Sequence, residues 1–158
     1  MTTLFVTSSL HGSTREIAER MGEVLRTSQA VETVVEDVAG AATWLDTADA
    51  VVLAAPVYGG KLAKDARQFL NTRRAELNNK PLVIIVSGGN PVLAEGIRAQ
   101  LETYQPRTIE YVRGALTEAR LSWLEKFLVK RAGGQFGDFR DWDHIESVAK
   151  SLPGHGIA

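Results

Sequence analysis

The chain contains no cysteine, which excludes disulfides, iron–sulfur ligation and thiol nucleophiles and leaves the redox compartment unmarked. It lacks an excess of either charge. With a formal net charge of −1, it has none of the basic surplus of a general nucleic-acid binder, so no nucleic-acid partner is expected. No apolar run approaches the roughly 20 residues of a membrane-crossing helix, and the opening MTTLFVTSS carries neither a basic leader nor a long apolar core. A cytoplasmic location is expected. Only three histidines are present, and no two have metal-site spacing, so no metal is assigned. The dinucleotide pattern G-x-G-x-x-G and the triphosphate pattern G-x-x-x-x-G-K-[ST] are also absent. What remains is 158 residues, 44% of them hydrophobic, which is enough to build one core; the span 1–158 is read as a single domain.

The most informative stretch is Leu4 to Ala18, LFVTSSLHGSTREIA. Leu4, Phe5 and Val6 form a short apolar run without polar alternation, the pattern of a strand buried on both faces. Ile17, Met21, Val24 and Leu25 recur at helical spacing, so a helix starts near Ser13. Between them lies a turn rich in hydroxyls and containing Gly12. Backbone N–H groups converge at a helix start, which suits a phosphate; the same residue types also serve as plain helix caps, and Ser13 or Thr14 would make an ordinary N-cap.

Further along, Ala30 to Val38 reads as a partly exposed second strand near a sheet edge, and Ala41 to Leu45 as a short helix. Ala50 to Ala55 is a buried central strand that stops at Pro56, followed by the loop Pro56 to Lys61, PVYGGK. A helix then places Leu62, Ala66, Phe69 and Leu70 on one face. Pro81 to Val86 is a fourth strand running into the turn Ser87-Gly88-Gly89-Asn90-Pro91, and Leu93, Ile97, Leu101 and Tyr104 mark the next helical face. Thr108 to Leu116 is a fifth strand, with Gly114 allowing a bulge or a close approach. Trp142, Ile145, Ala149 and Leu152 dock a last helix. Alternating strands and helices specify an α/β fold with a parallel sheet covered on both faces, and ligands in such sheets sit outside the carboxyl ends of the strands.

With five strands and a hydroxyl-rich first loop, the chain resembles the flavodoxin-like FMN domains over nearly its full length. The resemblance implies a three-layer α/β/α sandwich with a five-stranded parallel sheet in the order 2-1-3-4-5, and FMN as cofactor. It implies phosphate binding by Ser9, Leu10, His11, Gly12, Ser13 and Thr14. It puts Pro56, Val57, Tyr58, Gly59 and Gly60 on one side of the isoalloxazine ring and Ser87, Gly88, Gly89 and Asn90 on the other. Tyr58 is the candidate ring-packing residue, with Trp123, Phe136 and Trp142 as further contributors; Trp142 also fits the core stripe of its helix.

Within that superfamily, Gly12 to Ala18, Val112-Arg113-Gly114-Ala115-Leu116, the segment Trp123 to Gly134 and the pair Asp141-Trp142 are similar, in order, to motifs of the quinone-dependent protoporphyrinogen dehydrogenases. That branch commonly carries a basic, tyrosine-containing stretch ending in histidine after the third strand, where this chain has Val57-Tyr58-Gly59-Gly60-Lys61. The likeness implies an FMN-dependent oxidoreductase of haem biosynthesis passing electrons to a quinone, with a branch-specific segment at about 118–140. The alternative is a flavodoxin proper, a one-electron carrier between redox-protein partners, although such carriers are usually strongly acidic. No protein acid or base stands out, so no catalytic residue is assigned. Arg120 to Arg131, RLSWLEKFLVKR, is either a packed helix with a favourably charged end or a peripheral contact with the inner face of the membrane.

Overall fold

The computed structural model describes residues 1–8, 12–116 and 137–152. The first strand, β1 (Thr2–Thr7), leads to α1 (Ser13–Gln29); β2 (Glu32–Asp37) and the short α2 (Ala42–Leu45) follow, then β3 (Ala50–Tyr58). A two-residue strand β4 (Lys61–Leu62) precedes α3 (Lys64–Thr72), α4 (Arg74–Asn78), β5 (Leu82–Gly88), α5 (Glu95–Glu102) and β6 (Thr108–Arg113). Beyond Gly114, β7 (Ala115–Leu116) pairs with β8 (Gly137–Asp138), and α6 (Trp142–Ser151) completes the described elements.

The five long strands are parallel and ordered β2-β1-β3-β5-β6. Counting only these strands, the order is the 2-1-3-4-5 implied by the sequence; β4 is an antiparallel addition to β3. Alternate residues of the same strands feed two cores. Leu4, Val6, Leu53, Ile84 and Val86 face α3 and α5 through Ala66, Leu70, Ile97 and Leu101. Phe5, Val52, Ala54 and Ile85 face α1 and α6 through Ile17, Met21, Ile145 and Ala149. Because both strand faces are covered, these strands lack polar alternation, and each large apolar side chain buried contributes about 1.5–3 kcal/mol.

Several boundaries differ from the sequence reading. β3 does not stop at Pro56: Pro56, Val57 and Tyr58 belong to the strand. Proline is tolerated there because the β1 ladder ends at the Thr7–Ala54 pair, so no N–H is required on that side. Leu62 is buried, but in β4 and not on the helix, which begins at Lys64. Likewise, β5 runs through Ser87 and Gly88. The expected fifth strand is cut in two at Gly114, where the chain leaves the large sheet and β7 turns to a new partner. Trp142 is 37% exposed and lies under the Arg140 guanidinium at 4.7 Å, so it is not part of the core. No described helix is long and apolar enough to cross a membrane.

Candidate functional site

The carboxyl ends of β1, β3 and β5 lie side by side, so the turn after β1, the β3–β4 hairpin and the end of β5 meet at one edge of the sheet. Of the six residues assigned to the first loop, Ser9, Leu10 and His11 lie outside the described residues. Gly12 adopts the left-handed conformation, with φ at 83°, and caps α1 with no side-chain hydrogen bond. Neither Ser13 nor Thr14 is therefore the N-cap: both are buried in the first turn. Glu16 N–H donates to the Gly12 carbonyl at 3.1 Å. The N–H groups of Ser13, Thr14 and Arg15 have no intrahelical acceptor and no side-chain cap among the described residues. Three adjacent donors at the positive end of a helix form an anion cradle.

The hydroxyls around this cradle are less free than their composition suggests. Thr14 Oγ1 and Ser87 Oγ share a buried hydrogen bond of 2.9 Å, which ties the first loop to the end of β5. Ser8 Oγ donates to Asp65 Oδ1 in the first turn of α3, and Ser8 N–H donates to the Ala54 carbonyl at 3.0 Å. Asp65 thus positions the strand end next to the cradle, a contact that the sequence did not signal. Among the described residues, the donors that could meet an anion are the main-chain N–H groups of the first turn of α1.

At the second loop, Tyr58 and Lys61 are paired across a tight hairpin whose central residues, Gly59 and Gly60, have φ of 57° and 77°. Two consecutive left-handed residues are the geometry of a two-residue hairpin turn, which explains the Gly-Gly pair. Tyr58, at the end of the strand, is 40% exposed. The third loop is held by β6 through two contacts to its carbonyls: Tyr111 Oη donates to Asn90 O at 2.7 Å, and Arg113 Nη2 donates to Gly89 O at 2.8 Å. Burial pushes the Tyr111 phenol above the ordinary tyrosine range, opposed by the Arg113 charge and the Asn90 contact. Gly114 N–H donates to Gly88 O at 2.9 Å; a Cβ at Gly114 would meet Ser87 Cβ at 3.6 Å, an ordinary contact, so this approach does not require glycine. Neither Tyr111 nor Arg113 was legible as a site residue, since each reads as part of a strand.

This strand order, with a helix start that no side chain caps among the described residues at the β1/β3 edge, has the features of the flavodoxin fold. A family model described as flavodoxin domain matches residues 4–134. The chain belongs to the flavodoxin domain family. No curated protein gives a significant match. Among solved structures, this flavodoxin domain is similar to a flavodoxin from the Archaea at 18% identity and a TM-score of 0.58, covering 84% of this chain and 97% of that one. It is also similar to a flavodoxin of Streptococcus pneumoniae TIGR4 at 22% identity and a TM-score of 0.55, covering 84% and 99%. A flavo di-iron protein from Thermotoga maritima matches at 11% identity and a TM-score of 0.62, covering 94% of this chain but 34% of that protein, so the flavodoxin domain spans about a third of its length. At these identities the structural likeness speaks for the fold. FMN is the cofactor of the flavodoxin family.

Proposed function

We propose that this flavodoxin domain binds FMN and carries electrons between redox-protein partners. The observation that supports the reading most is the start of α1, where the N–H groups of Ser13, Thr14 and Arg15 stand beside the left-handed Gly12 with no side-chain cap among the described residues. These donors fit a phosphate without any positive side chain. Bound FMN would supply the electron-transfer chemistry. Main-chain donors of residues 12–15, together with Ser9, Leu10 and His11, hold the phosphate end. Tyr58, with Pro56, Val57, Gly59 and Gly60, walls one side of the ring, and the Ser87–Asn90 segment walls the other. A carrier needs no protein acid or base. The domain spans 1–158 and works in the cytoplasm.

The test is titration of the apoprotein with FMN and riboflavin, followed by stepwise reduction and electron exchange with a flavodoxin reductase. Tight FMN binding, reduction in two resolved one-electron stages and rapid exchange are expected. A colourless protein that binds no flavin overturns the reading.

A second reading, quinone-linked protoporphyrinogen dehydrogenase activity, is favoured by the near-neutral charge and by the Asp141-Trp142 pair. Asp141 caps α6, its carboxylate accepting from His144 N–H at 3.1 Å, which gives this motif a defined place beside β6. In this reading the acceptor is a quinone, and residues 120–131, which lie outside the described residues, provide a peripheral membrane contact. Turnover of protoporphyrinogen with menaquinone by the holoprotein would establish it in place of the carrier role.

A further inference from the structure

We propose that Arg113 sets the balance between the oxidised and reduced forms of the bound flavin, by fixing the Ser87–Asn90 loop and by placing one uncompensated positive charge behind it. The inference rests on the FMN reading above. Arg113 is held from three directions. Its main chain pairs with Gly88 at the end of β5, its Nη2 donates to Gly89 O at 2.8 Å, and its guanidinium carbon stacks 4.5 Å from the centroid of the Phe139 ring. Its Nε is buried and has no hydrogen-bond partner among the described residues. No carboxylate pairs with it among the described residues, in contrast to Arg140, Arg20, Arg15 and Arg73, each of which is bonded to an aspartate or glutamate.

A half-buried guanidinium without a counter-ion is costly unless something negative arrives beside it. The two segments assigned to the ring, Pro56 to Gly60 and Ser87 to Asn90, contain no acidic residue, so nothing in them cancels the charge. Capture of the Gly89 and Asn90 carbonyls by Arg113 and Tyr111 also turns those oxygens towards β6. Reduction of bound FMN by two electrons from a redox partner or dithionite, with uptake of one proton, would leave the reduced form one negative charge richer than the oxidised form. A fixed cation at the loop stabilises that form and leaves the neutral oxidised ring almost unaffected.

Two substitutions separate charge from tether. Arg113→Gln keeps an amide donor for Gly89 O and removes the charge; Arg113→Lys keeps the charge and loses the planar fork. Affinities of oxidised and dithionite-reduced FMN are measured for the wild type and each variant, with thermal melting to confirm folding. Arg113→Gln is expected to weaken reduced FMN about tenfold relative to oxidised FMN, a fall of about 30 mV in the two-electron potential, while Arg113→Lys stays within about threefold. Equal losses for both forms in Arg113→Gln, or no change in either, overturn the proposal while leaving the FMN reading intact. If Arg113→Gln does not fold, Arg113→Lys is compared with Arg113→Met: a selective loss of reduced FMN in Arg113→Met alone supports the charge role, and any other pattern overturns it. A wild-type protein that binds neither form overturns the FMN reading together with this one.

Discussion

Thr14 Oγ1 and Ser87 Oγ, 73 residues apart in the chain, meet in a buried hydrogen bond of 2.9 Å. One residue starts α1 and the other ends β5, so this bond fixes the distance between the loop that would hold the phosphate and the loop that would flank the ring.

Replacing Thr14 with Val keeps the shape and removes the hydroxyl, leaving Ser87 without its partner in a dry site. We expect a loss of about 1–3 kcal/mol in urea unfolding. Adding Ser87→Ala removes the stranded group, so the double variant is expected to lose less than the sum of the two single changes. Simple additivity would mean that the two hydroxyls do not interact.

Gly12 holds the turn into α1 at φ 83°. Alanine there is strained by about 1 kcal/mol and disturbs the direction of the first helical N–H groups. Gly12→Ala is therefore expected to lower FMN affinity by at least tenfold and riboflavin affinity by less than threefold, since riboflavin has no phosphate for those donors. Calorimetric titration of both ligands checks this, and equal losses would assign the loop another task.

A Cβ added at Gly88 would lie 2.6 Å from Tyr111 Oη. Gly88→Ala is expected to push the phenol off the Asn90 carbonyl and to cost about 1–3 kcal/mol. Tyr111→Phe in the same chain removes the clashing oxygen and should recover part of that loss. Absence of any recovery would place the strain elsewhere in the loop.

Arg140 joins the β8 end to α1. It makes a two-pronged pair with Asp138 at 2.7 and 2.9 Å, bonds Glu16 in the first turn of α1, and stacks on Trp142. Its pKa lies above the ordinary arginine value, with the Asp138 hydrogen bond as the largest cause and the Glu16 bond adding to it. For a group raised on folding, the stabilisation is fully present below the unfolded pKa and is lost only as pH rises towards the folded one. Between pH 6 and 9 the cost of Arg140→Gln should thus be constant, at about 1 kcal/mol because both carboxylates are substantially exposed. A cost that changes across this window in denaturant titrations would show that some other group governs the contact.

Hydrophobic pattern and turn chemistry by themselves determined the layers, the parallel sheet and the helix start at Ser13, because these depend on local periodicity and on where glycine is required. The long strands Leu4 to Val6, Ala50 to Ala55 and Leu82 to Val86 are legible because both faces are buried. Gly59-Gly60 reads only as part of a loop, and the pairing of β3 with β4 is what makes it a two-residue hairpin. What local sequence could not show is which polar groups find each other. Ser13 and Thr14 look like caps, yet Gly12 takes that position, and the Thr14 hydroxyl is spent on Ser87. Asp65 looks like an ordinary first-turn carboxylate and reaches Ser8. Trp142 fits a core stripe but lies under Arg140 at the surface. Arg113 and Tyr111 read as strand residues, and only the pairing of β6 with β5 brings them onto the carbonyls of the loop beyond Gly88. These contacts join residues far apart in the chain, so they were decided when the sheet closed and two strand ends came within hydrogen-bonding distance.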